Sequence, residues 1–333
     1  MPTIKDVAKE ANVSVATVSR VINKSPKASS TAIESVTTAM QKLGYRPNAT
    51  ARALVKRTSD TVGVLVADVS DPFFGAMVKA IDKVAREQGK QILIGNGYHN
   101  AEDERRALEL LINSRCEAII VHAKKLSDQE LAAYVNEIPG MMVINRYIKD
   151  IATHCIALDN ARGAYLATAF LIEQGHRQIA CIASSKEIED SHSRVAGYKQ
   201  ALEDHNIIVP NDIIAYATPD SDGGESAMET LLANASPFSA IIAYNDNMAA
   251  GALAALDAHK ITVPEQMSLI GFDDGIIARL LRPRLTTVQY PIDKMAELAT
   301  RLALAKNTVS STVTLPYVFT PNLIIRNSTA TPN

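Results

Sequence analysis

Charged and polar side chains cluster at a few points of the 333-residue sequence where they could bind a ligand. One segment, Asp71-Pro72-Phe73-Phe74, follows an apolar run and puts a carboxylate beside an aromatic ring. This pairing suits a sugar, because sugar hydroxyls bond to charged acceptors and the C–H face of a sugar lies against a ring. Asp190 and Arg194 are four residues apart, so a helix would bring them together near its start. An ordinary salt bridge within the helix is the alternative interpretation of that spacing.

Polar residues also end several of the most apolar runs of the chain. These ends are Asn145-Arg146, Asn245-Asp246 and Asp273-Asp274, and His122 ends a further run. In folds with parallel strands, ligands bind at the carboxyl ends of the strands. The repeated polar ends therefore predict one ligand cleft.

Sequence motifs of the common enzyme classes are absent. Gly95-Asn96-Gly97 does not continue into a dinucleotide-binding loop, because Asn100 stands where the third glycine is required. No G-x-S-x-G, P-loop or H-E-x-x-H pattern occurs, and the seven histidines lack metal-ligand spacing. We therefore expect no catalytic residues, no metal and no cofactor.

Near the N-terminus, the segment from Ser14 to Arg20 suits a helix that reads DNA. Ser14 is a favourable N-cap, and positions 15, 16, 19 and 20 share the face opposite Val18. Val15 and Ala16 could contact a thymine methyl group, and Arg20 could bond to guanine O6 and N7. A capped surface helix that binds no DNA is the alternative.

Short helices are predicted on either side of this segment. Thr3 should cap the first helix with Asp6 in its first turn, and the third should run from about Ser30 to Leu43 before ending at Gly44. Two helices joined by a four-residue turn and braced by a third form a helix-turn-helix. The next segment, 47–54, is either an ordinary linker or a helix too short to be stable alone. In the second case it would fold on DNA, with Leu54 wedged between base steps of the minor groove.

Charge is distributed unevenly along the chain. Residues 1–60 contain ten Lys or Arg and four Asp or Glu, whereas the remainder contains 24 basic and 32 acidic residues. A basic head on an acidic body is typical of a nucleic-acid-binding unit attached to another domain. The N-terminus lacks the apolar core of a secretory signal and no run is long enough to span a membrane, so we expect a cytoplasmic protein.

From residue 61 onward, apolar runs alternate with amphipathic segments. The runs lie at 62–69, 91–95, 118–122, 141–145, 155–158, 179–183, 240–244 and 267–272. Continuous apolar strands separated by helices predict parallel sheets covered on both faces. Because this part is longer than one sheet usually requires, we expect two subdomains with a cleft between them. The cysteines, Cys116, Cys155 and Cys181, lie far apart and are expected to be free, buried thiols.

Several motifs resemble those of the lactose-repressor family of bacterial transcription regulators, and within it the galactose repressors. They are TIKDVAKEANVSVATVSRVIN, YRPNATARAL, VSDPFFGAMVKAI, ILIGNGYHN, YNDNMAAGAL, LIGFDD and PRLTTVQYP. They extend from Thr3 to Pro291 and so include the head, the linker and the body.

The resemblance implies an α/β protein with a small all-α head, joined by a hinge helix to a two-subdomain body like that of periplasmic binding proteins, with two parallel sheets. The implied domains are a helix-turn-helix DNA-binding domain at 1–46, a hinge helix and linker at 47–60, and an effector-binding and dimerisation domain at 61–333. It implies a homodimeric repressor of sugar-utilisation genes that binds a pseudo-palindromic operator in double-stranded DNA. A hexose, D-galactose or a related sugar, would release it.

The resemblance also assigns residues to each site. DNA binding falls on Thr3, Ser14, Val15, Ala16, Thr17, Ser19, Arg20, Asn23, Tyr45, Asn48, Arg52 and Leu54. Effector binding falls on Asp71, Phe73, His122, Arg146, Asp159, Asp190, Arg194, Asn245 and Asp273, with Tyr290 close to the ligand. The C-terminal sequence NLIIRNSTATPN cannot form the leucine-heptad coiled coil of the family's tetramers, which favours a dimer.

Three other functions are consistent with parts of the sequence. The effector could be another sugar or a galactoside. A sugar-binding transport component would share the body, although the basic head and the missing signal argue against it. A carbohydrate-active enzyme could use Asp71 and Asp190 as paired carboxylates, although nothing marks either as a proton donor.

Overall fold

The computed structural model describes residues 2–23, 25–46, 59–208, 210–234, 236–305 and 317–332. Its contacts divide the chain into two compact units, Met1–Ser59 and Asp60–Asn333. We call them the head and the body. The predicted fold class, an all-α head and an α/β body with two mainly parallel sheets, is confirmed.

The head contains three helices: α1 (Ile4–Glu10), α2 (Val15–Ile22) and α3 (Ser30–Leu43). A hydroxyl residue caps the start of each helix, as predicted for Thr3 and Ser14 in the first two. Ser29 caps α3, which ends at Gly44 with a φ of 62°, a left-handed conformation that suits glycine. Three fully buried valines, one from each helix, form the centre of the head's core: Val7, Val18 and Val36.

The first sheet of the body has six strands in the order β11-β5-β4-β3-β1-β2. The strands are β1 (Thr61–Val66), β2 (Gln91–Asn96), β3 (Ala118–Val121), β4 (Met141–Ile144), β5 (Cys155–Leu158) and β11 (Tyr317–Phe319). All neighbouring strands are parallel. This sheet and its helices are called the first lobe.

The second sheet has the order β12-β10-β9-β8-β6-β7 and belongs to the second lobe. Its strands are β6 (Ile179–Ser184), β7 (Ile214–Ala217), β8 (Ala240–Ala243), β9 (Ser268–Asp273), β10 (Thr286–Gln289) and β12 (Asn322–Ile324). Only the pairing of β10 with β12 is antiparallel among these strands.

Helices cover both faces of each sheet. They are α4 (Pro72–Glu87), α5 (Ala101–Asn113), α6 (Asp128–Glu137), α7 (Asn160–Glu173), α8 (Glu189–Asp204), α9 (Ser221–Ala233), α10 (Asp246–Ala258), α11 (Ile276–Leu280) and α12 (Ile292–Leu304). Alternate strand residues face opposite ways, so Val64 packs with α4 while Leu65 packs with α5. Strands buried on both faces explain the continuous apolar runs of the sequence.

The chain passes between the lobes three times. It crosses from β5 to α7, from β10 to α12 and from β11 to β12. Helix α12 therefore follows a strand of the second sheet but packs against α4, β3 and β4 of the first lobe. Two ion pairs join α12 to α4: Lys83 to Glu297 at 2.7 Å and Arg301 to Glu87 at 2.9 Å.

Most predicted strands and helices are present, with shifted ends. The run expected at 62–69 stops at Val66, because Asp68 starts a turn in which its Oδ1 accepts the N–H of Ser70 at 2.9 Å. Val69, expected in that strand, is exposed. Strands β7, β10, β11 and β12 and helices α6, α11 and α12 were not among the segments predicted. The three cysteines are free and buried, as predicted.

Two glycines allow α9 and α10 to pack closely. A Cβ on Gly251 of α10 would lie 1.8 Å from the carbonyl oxygen of Ser221, and one on Gly224 of α9 would lie 2.1 Å from that of Met248. No side chain can occupy either position without separating the two helices. By contrast, a Cβ on Gly75 in α4 would meet no atom within 4 Å.

We predict that Gly251→Ala destabilises the body by about 1–3 kcal/mol, because overpacked backbone must move apart. Gly75→Ala is the matched control and should be neutral or raise stability by roughly 0.5–1 kcal/mol, since alanine favours a helix more than glycine does. Urea unfolding of both variants measures the difference. Equal stability of the two variants would contradict the close approach of α9 and α10.

Candidate functional sites: an exposed helix and a polar cleft

The N-terminal half of α2 presents an exposed face. Val15, Ala16 and Arg20 are exposed and Ser19 is half-buried, whereas Val18 on the opposite face is fully buried. An exposed valine at a helix start, next to alanine and within one turn of an arginine, gives a surface of methyl groups with one bidentate donor.

The hydroxyl residues around this face form helix caps. Ser14 Oγ accepts the N–H of Thr17 at 3.1 Å, and its hydroxyl lies 2.9 Å from that of Thr17. Thr3 and Asp6 form a reciprocal capping box at the start of α1. These bonds fix both helix ends and leave the hydroxyls at the surface.

Two other predicted DNA-binding residues also lie near helix ends. Asn23 follows α2 and donates to Ser19 Oγ at 3.3 Å. Tyr45 follows α3 and packs partly against the head's core. The predicted contacts Asn48, Arg52 and Leu54, with most of the proposed hinge, lie outside the described residues.

In the body, seven of the nine predicted ligand residues line one cavity between the lobes. They are Asp71, Phe73, His122, Asp190, Arg194, Asn245 and Asp273. The cavity has a volume of about 70 Å³, and Tyr290 also lines it. Strand ends and helix starts of both sheets supply these side chains, as the sequence predicted.

The structure does not bring Arg146 or Asp159 to this cavity. Arg146 turns back into its own lobe, where it donates to the carbonyl of Leu126 at 2.7 Å and pairs with Asp128 at 2.6 Å. Asp159 is exposed and caps α7 by accepting the N–H of Arg162 at 2.9 Å. Both side chains bind local partners.

Two cavity residues are also helix N-caps. Asp71 Oδ1 accepts the N–H of Phe73 at 2.9 Å at the start of α4. Asn245 Oδ1 accepts the N–H of Met248 at 2.8 Å at the start of α10, and its Nδ2 donates to the carbonyl of Pro219 at 2.9 Å. Burial raises the pKa of Asp71, and the bond from Phe73 offsets only part of this shift.

Asp190 and Arg194 lie on α8, but among the described residues each pairs outside that helix. Asp190 binds Lys124 Nζ at 2.7 Å and Asn145 Nδ2 at 2.7 Å, and both of these groups come from the first lobe. The salt bridge between Asp190 and Arg194 that was the alternative interpretation of their spacing does not form. Burial would raise the pKa of Asp190, but Lys124 and Arg194 together hold it below the usual range.

Arg194 is buried and held by hydrogen bonds inside the second lobe. Its Nε donates to Asn160 Oδ1 at 3.0 Å, and its Nη1 donates to the carbonyl of Tyr244 at 2.5 Å. The guanidinium stacks 3.6 Å from the ring centroid of Phe272 and lies 3.8 Å from Asp273. Burial raises the pKa of Asp273 well above its usual range despite this neighbour.

Three buried polar atoms in and beside the cavity lack a hydrogen-bond partner within the described part of the chain. They are Nδ1 of His99, Nδ1 of His122 and the hydroxyl of Tyr290. Burial lowers the pKa of His122 to about 3 and that of His99 to about 4, so both imidazoles are neutral at physiological pH. A buried polar atom without a partner costs about 1–3 kcal/mol, so this cavity favours a ligand with many hydroxyls.

A larger cavity of about 560 Å³ adjoins the first, between the start of α4 and the segment around α11. It shares Asp71, Phe73, Asp273 and Tyr290 with the smaller cavity but lacks Asp190 and Arg194. Its outer wall includes the exposed apolar residues Ile276 and Leu280. The smaller cavity is therefore the better ligand site, because the charged pair and the unpartnered polar atoms line it.

Sequence reasoning missed several residues that shape this site: His99, Lys124, Asn160 and Tyr244. His99 and Lys124 each lie three residues beyond the last residue of a strand, in loops whose course a linear pattern does not predict. Asn160 is recognisable only as the first residue of α7. A search of all polar residues within three positions of each strand end would have found His99 and Lys124.

Within the described residues, no group of three or more His, Cys, Asp or Glu side chains could hold a metal ion. No helix in this part of the chain has the length and apolar character needed to cross a membrane.

Comparison with known proteins identifies both units. Residues 3–48 match the model of bacterial regulatory proteins of the lacI family. Residues 168–329 match the periplasmic binding protein-like domain. The lac repressor dimer bound to operator superposes with a TM-score of 0.85 over 99% of both chains, but at 24% identity it shows the fold alone.

Relatives match along nearly the whole chain. The transcriptional regulator GalR of Escherichia coli (strain K12) is 50% identical over 333 residues, which cover 100% of this chain and 97% of the relative. GalS of Salmonella typhimurium (strain LT2) is 51% identical over 330 residues, 99% of this chain and 97% of the relative. The solved Escherichia coli repressor ascG is 33% identical, with a TM-score of 0.71 over 81% of this chain and 99% of that chain. The chain therefore belongs to the lacI family of bacterial regulatory proteins and is a DNA-binding transcriptional regulator rather than an enzyme.

Proposed function

We propose that this protein is a cytoplasmic homodimeric repressor that α2 anchors on operator DNA and that a hexose, D-galactose or a close relative, releases. The observation that carries the sugar assignment is the buried cavity in which carboxylates and unpartnered polar atoms from both lobes converge. The likeness of the motifs to those of the galactose repressors favours D-galactose among the hexoses.

The groups around the cavity fit the hydroxyls of a sugar. Asp71 and Asp273 accept hydrogen bonds when ionised, while neutral His99 and His122 can each donate or accept at the free nitrogen, depending on the tautomer. The Tyr290 hydroxyl can do both. Phe73 lies with its ring centroid 4.8 Å from that of Tyr290, which provides an aromatic surface for the C–H face of a sugar.

The charges favour an uncharged sugar over a phosphorylated one. Two cations of the cleft already have protein partners: Lys124 pairs with Asp190, and Arg194 is bonded to Asn160 and Tyr244. A further cation, Lys186, also lines the cavity. A phosphate would lie near the ionised carboxylate of Asp190, whose pKa is lowered, and like charges in a buried site repel strongly. A neutral polyol avoids this repulsion.

The cavity of about 70 Å³ is smaller than a hexose, so a bound sugar extends into the adjoining cavity of about 560 Å³ or displaces surrounding side chains. A ligand that prefers one arrangement of the lobes changes the equilibrium between arrangements by its difference in affinity. If the sugar favours an arrangement unsuited to operator binding, the operator must weaken sugar binding by the same factor. Control of DNA binding then needs no contact between sugar and DNA.

Full-length protein and an operator fragment selected from a random duplex pool test the whole proposal. D-galactose should weaken operator binding, as measured by fluorescence anisotropy. A panel of other hexoses and galactosides, titrated by calorimetry, establishes whether a different sugar is the effector. Operator binding that stays constant with every sugar would overturn the proposed control.

For the head, we predict that Arg20→Ala weakens operator binding by about 1–3 kcal/mol and relaxes selectivity at one base position. Arg20 is exposed on the face of α2 opposite the core, so the change should not affect folding. Binding to a set of single-base operator variants measures this selectivity.

The matched control is Lys5→Ala, another exposed cation of the head. It should weaken binding to every variant about equally and reduce the salt dependence, since phosphate contacts carry no sequence information. If Arg20→Ala also weakens all variants equally, Arg20 does not read a base.

For the cleft, we predict that Asp71→Asn leaves operator affinity unchanged but raises the sugar concentration needed for release by roughly 10–100-fold, the usual effect of losing a charged hydrogen-bond acceptor. Asparagine can keep the N-cap bond to Phe73, so α4 should remain intact. A sugar titration of the operator complex measures the change.

Asp68→Asn provides the control, because Asp68 caps a nearby turn but does not line the cavity. It should respond to sugar as the unmodified protein does. A normal response from Asp71→Asn would remove Asp71 from the ligand site.

A further inference from the structure

A buried ion pair crosses the cleft between the lobes. Lys124 follows β3 of the first lobe, and Asp190 lies in the first turn of α8 in the second. Their side chains are 1% and 7% exposed, with Nζ 2.7 Å from Oδ1. Asp190 faces the sugar cavity, whereas Lys124 lines a separate outer groove. Lys124 therefore binds the Asp190 carboxylate on the side away from the sugar cavity and does not line that cavity.

The second oxygen of Asp190 is also fixed from the first lobe. Asn145 Nδ2 donates to it at 2.7 Å, and the Asn145 carbonyl accepts a bond from Lys124 Nζ. The backbone of Asn145 is left-handed, with a φ of 57°. Its Oδ1 accepts the Nδ2 of Asn160 at 3.2 Å, and Asn160 binds Arg194. One continuous polar network thus joins the two lobes.

The loop that carries Lys124 is held by a buried carboxylate. Glu104 of α5 is 1% exposed and accepts three backbone N–H groups, from Lys124 at 3.0 Å and from Lys125 and Leu126 at 2.9 Å each. Gly97 makes room for it, because a Cβ there would lie 2.6 Å from Glu104 Cγ. Three converging N–H donors stabilise the buried charge and fix the start of the lysine side chain.

We propose that Lys124, held in place by Glu104, is a positioning residue for effector binding that reaches across the cleft and fixes the Asp190 carboxylate against which the ligand binds. The inference rests on the proposed function, because Asp190 is one of the proposed ligand residues. Removing one partner of a buried ion pair leaves an uncompensated charge, which is far more harmful than losing an exposed pair.

Several other titratable or charged groups face Asp190. They are Arg194 on its own helix and Asp71, His99, His122, Lys186, Tyr244, Asp273 and Tyr290 on surrounding elements. The two histidines have pKa values of about 4 and about 3, so they stay neutral between pH 5 and 8. The histidines therefore do not contribute to the pH dependence in that range, and removal of the Lys124 charge changes the titration of Asp190 and of Asp273, which Asp190 influences.

The first test needs no ligand. It compares the melting temperature (Tm) of the unmodified full-length protein with that of the full-length Lys124→Met variant from pH 5 to 8. Without the ammonium group, burial should raise the pKa of Asp190 above its unfolded value. The folded variant then gains protons, and hence stability, as pH falls, while Asp190 remains ionised in the unmodified protein. We expect the difference in Tm to be largest at pH 8 and to shrink towards pH 5.

Two variants complete this test. Lys125→Met removes a neighbouring charge whose Nζ contacts the carbonyl of Glu187, so its effect on Tm should not depend on pH. Lys124→Arg keeps the charge and should restore most of the stability.

If Lys124→Met does not fold, the milder Glu104→Gln gives the same pH pattern at smaller amplitude, and the exposed Glu102→Gln on the same helix is its control.

The second readout is calorimetric titration with D-galactose. Lys124→Met should bind the sugar at least roughly tenfold more weakly at pH 7.5, and its loss relative to the unmodified protein should grow by about tenfold for each unit of pH below the raised pKa of Asp190. Lys125→Met should bind normally.

A difference in Tm that is constant from pH 5 to 8 would overturn the proposal, as would equal effects of Lys124→Met and Lys125→Met. If the unmodified protein binds no sugar, the proposed effector is wrong. The comparison of melting temperatures still decides whether Lys124 controls Asp190.

Discussion

The burial of charge between two lobes is the constraint on which the body depends. A carboxylate or guanidinium in this cleft has lost most of its water, so it is stable only with a partner at hydrogen-bond distance. Asp190 and Arg194 find such partners in side chains and carbonyls brought together by elements far apart in sequence. Asp71 and Asp273 are less well compensated, as the raised pKa of each carboxyl shows. The cleft is thus rigid where charges are paired and open to a ligand where they are not.

Parallel α/β architecture explains why helix caps and ligand groups coincide. Parallel strands end at the cleft edge, and where a helix follows it begins there, so one residue can cap the helix and face the cavity. Asp71 and Asn245 do both. The capping bond uses one side-chain atom and fixes the direction of the rest, which prepares the site before a ligand arrives.

Local chemistry made much of this predictable. The caps Thr3 and Ser14, the left-handed Gly44 and the polar strand ends each follow from a few neighbouring residues. Contacts across the cleft do not follow from neighbouring residues, because Lys124 and Asp190, for example, are 66 positions apart in the sequence. Arg146 illustrates the same limit, since its position at a strand end is correct but its side chain turns towards Asp128.

The order in which the chain builds the lobes has a consequence for synthesis on the ribosome. Helix α12, which covers β3 and β4, follows the central strands of the second sheet, and the edge strands β11 and β12 come later still. A nascent chain therefore exposes one face of its first sheet until almost all of the second lobe has emerged. The three-helix head is synthesised before either lobe. A truncated translation product would therefore retain the DNA-reading helix without the sugar-binding body that regulates it.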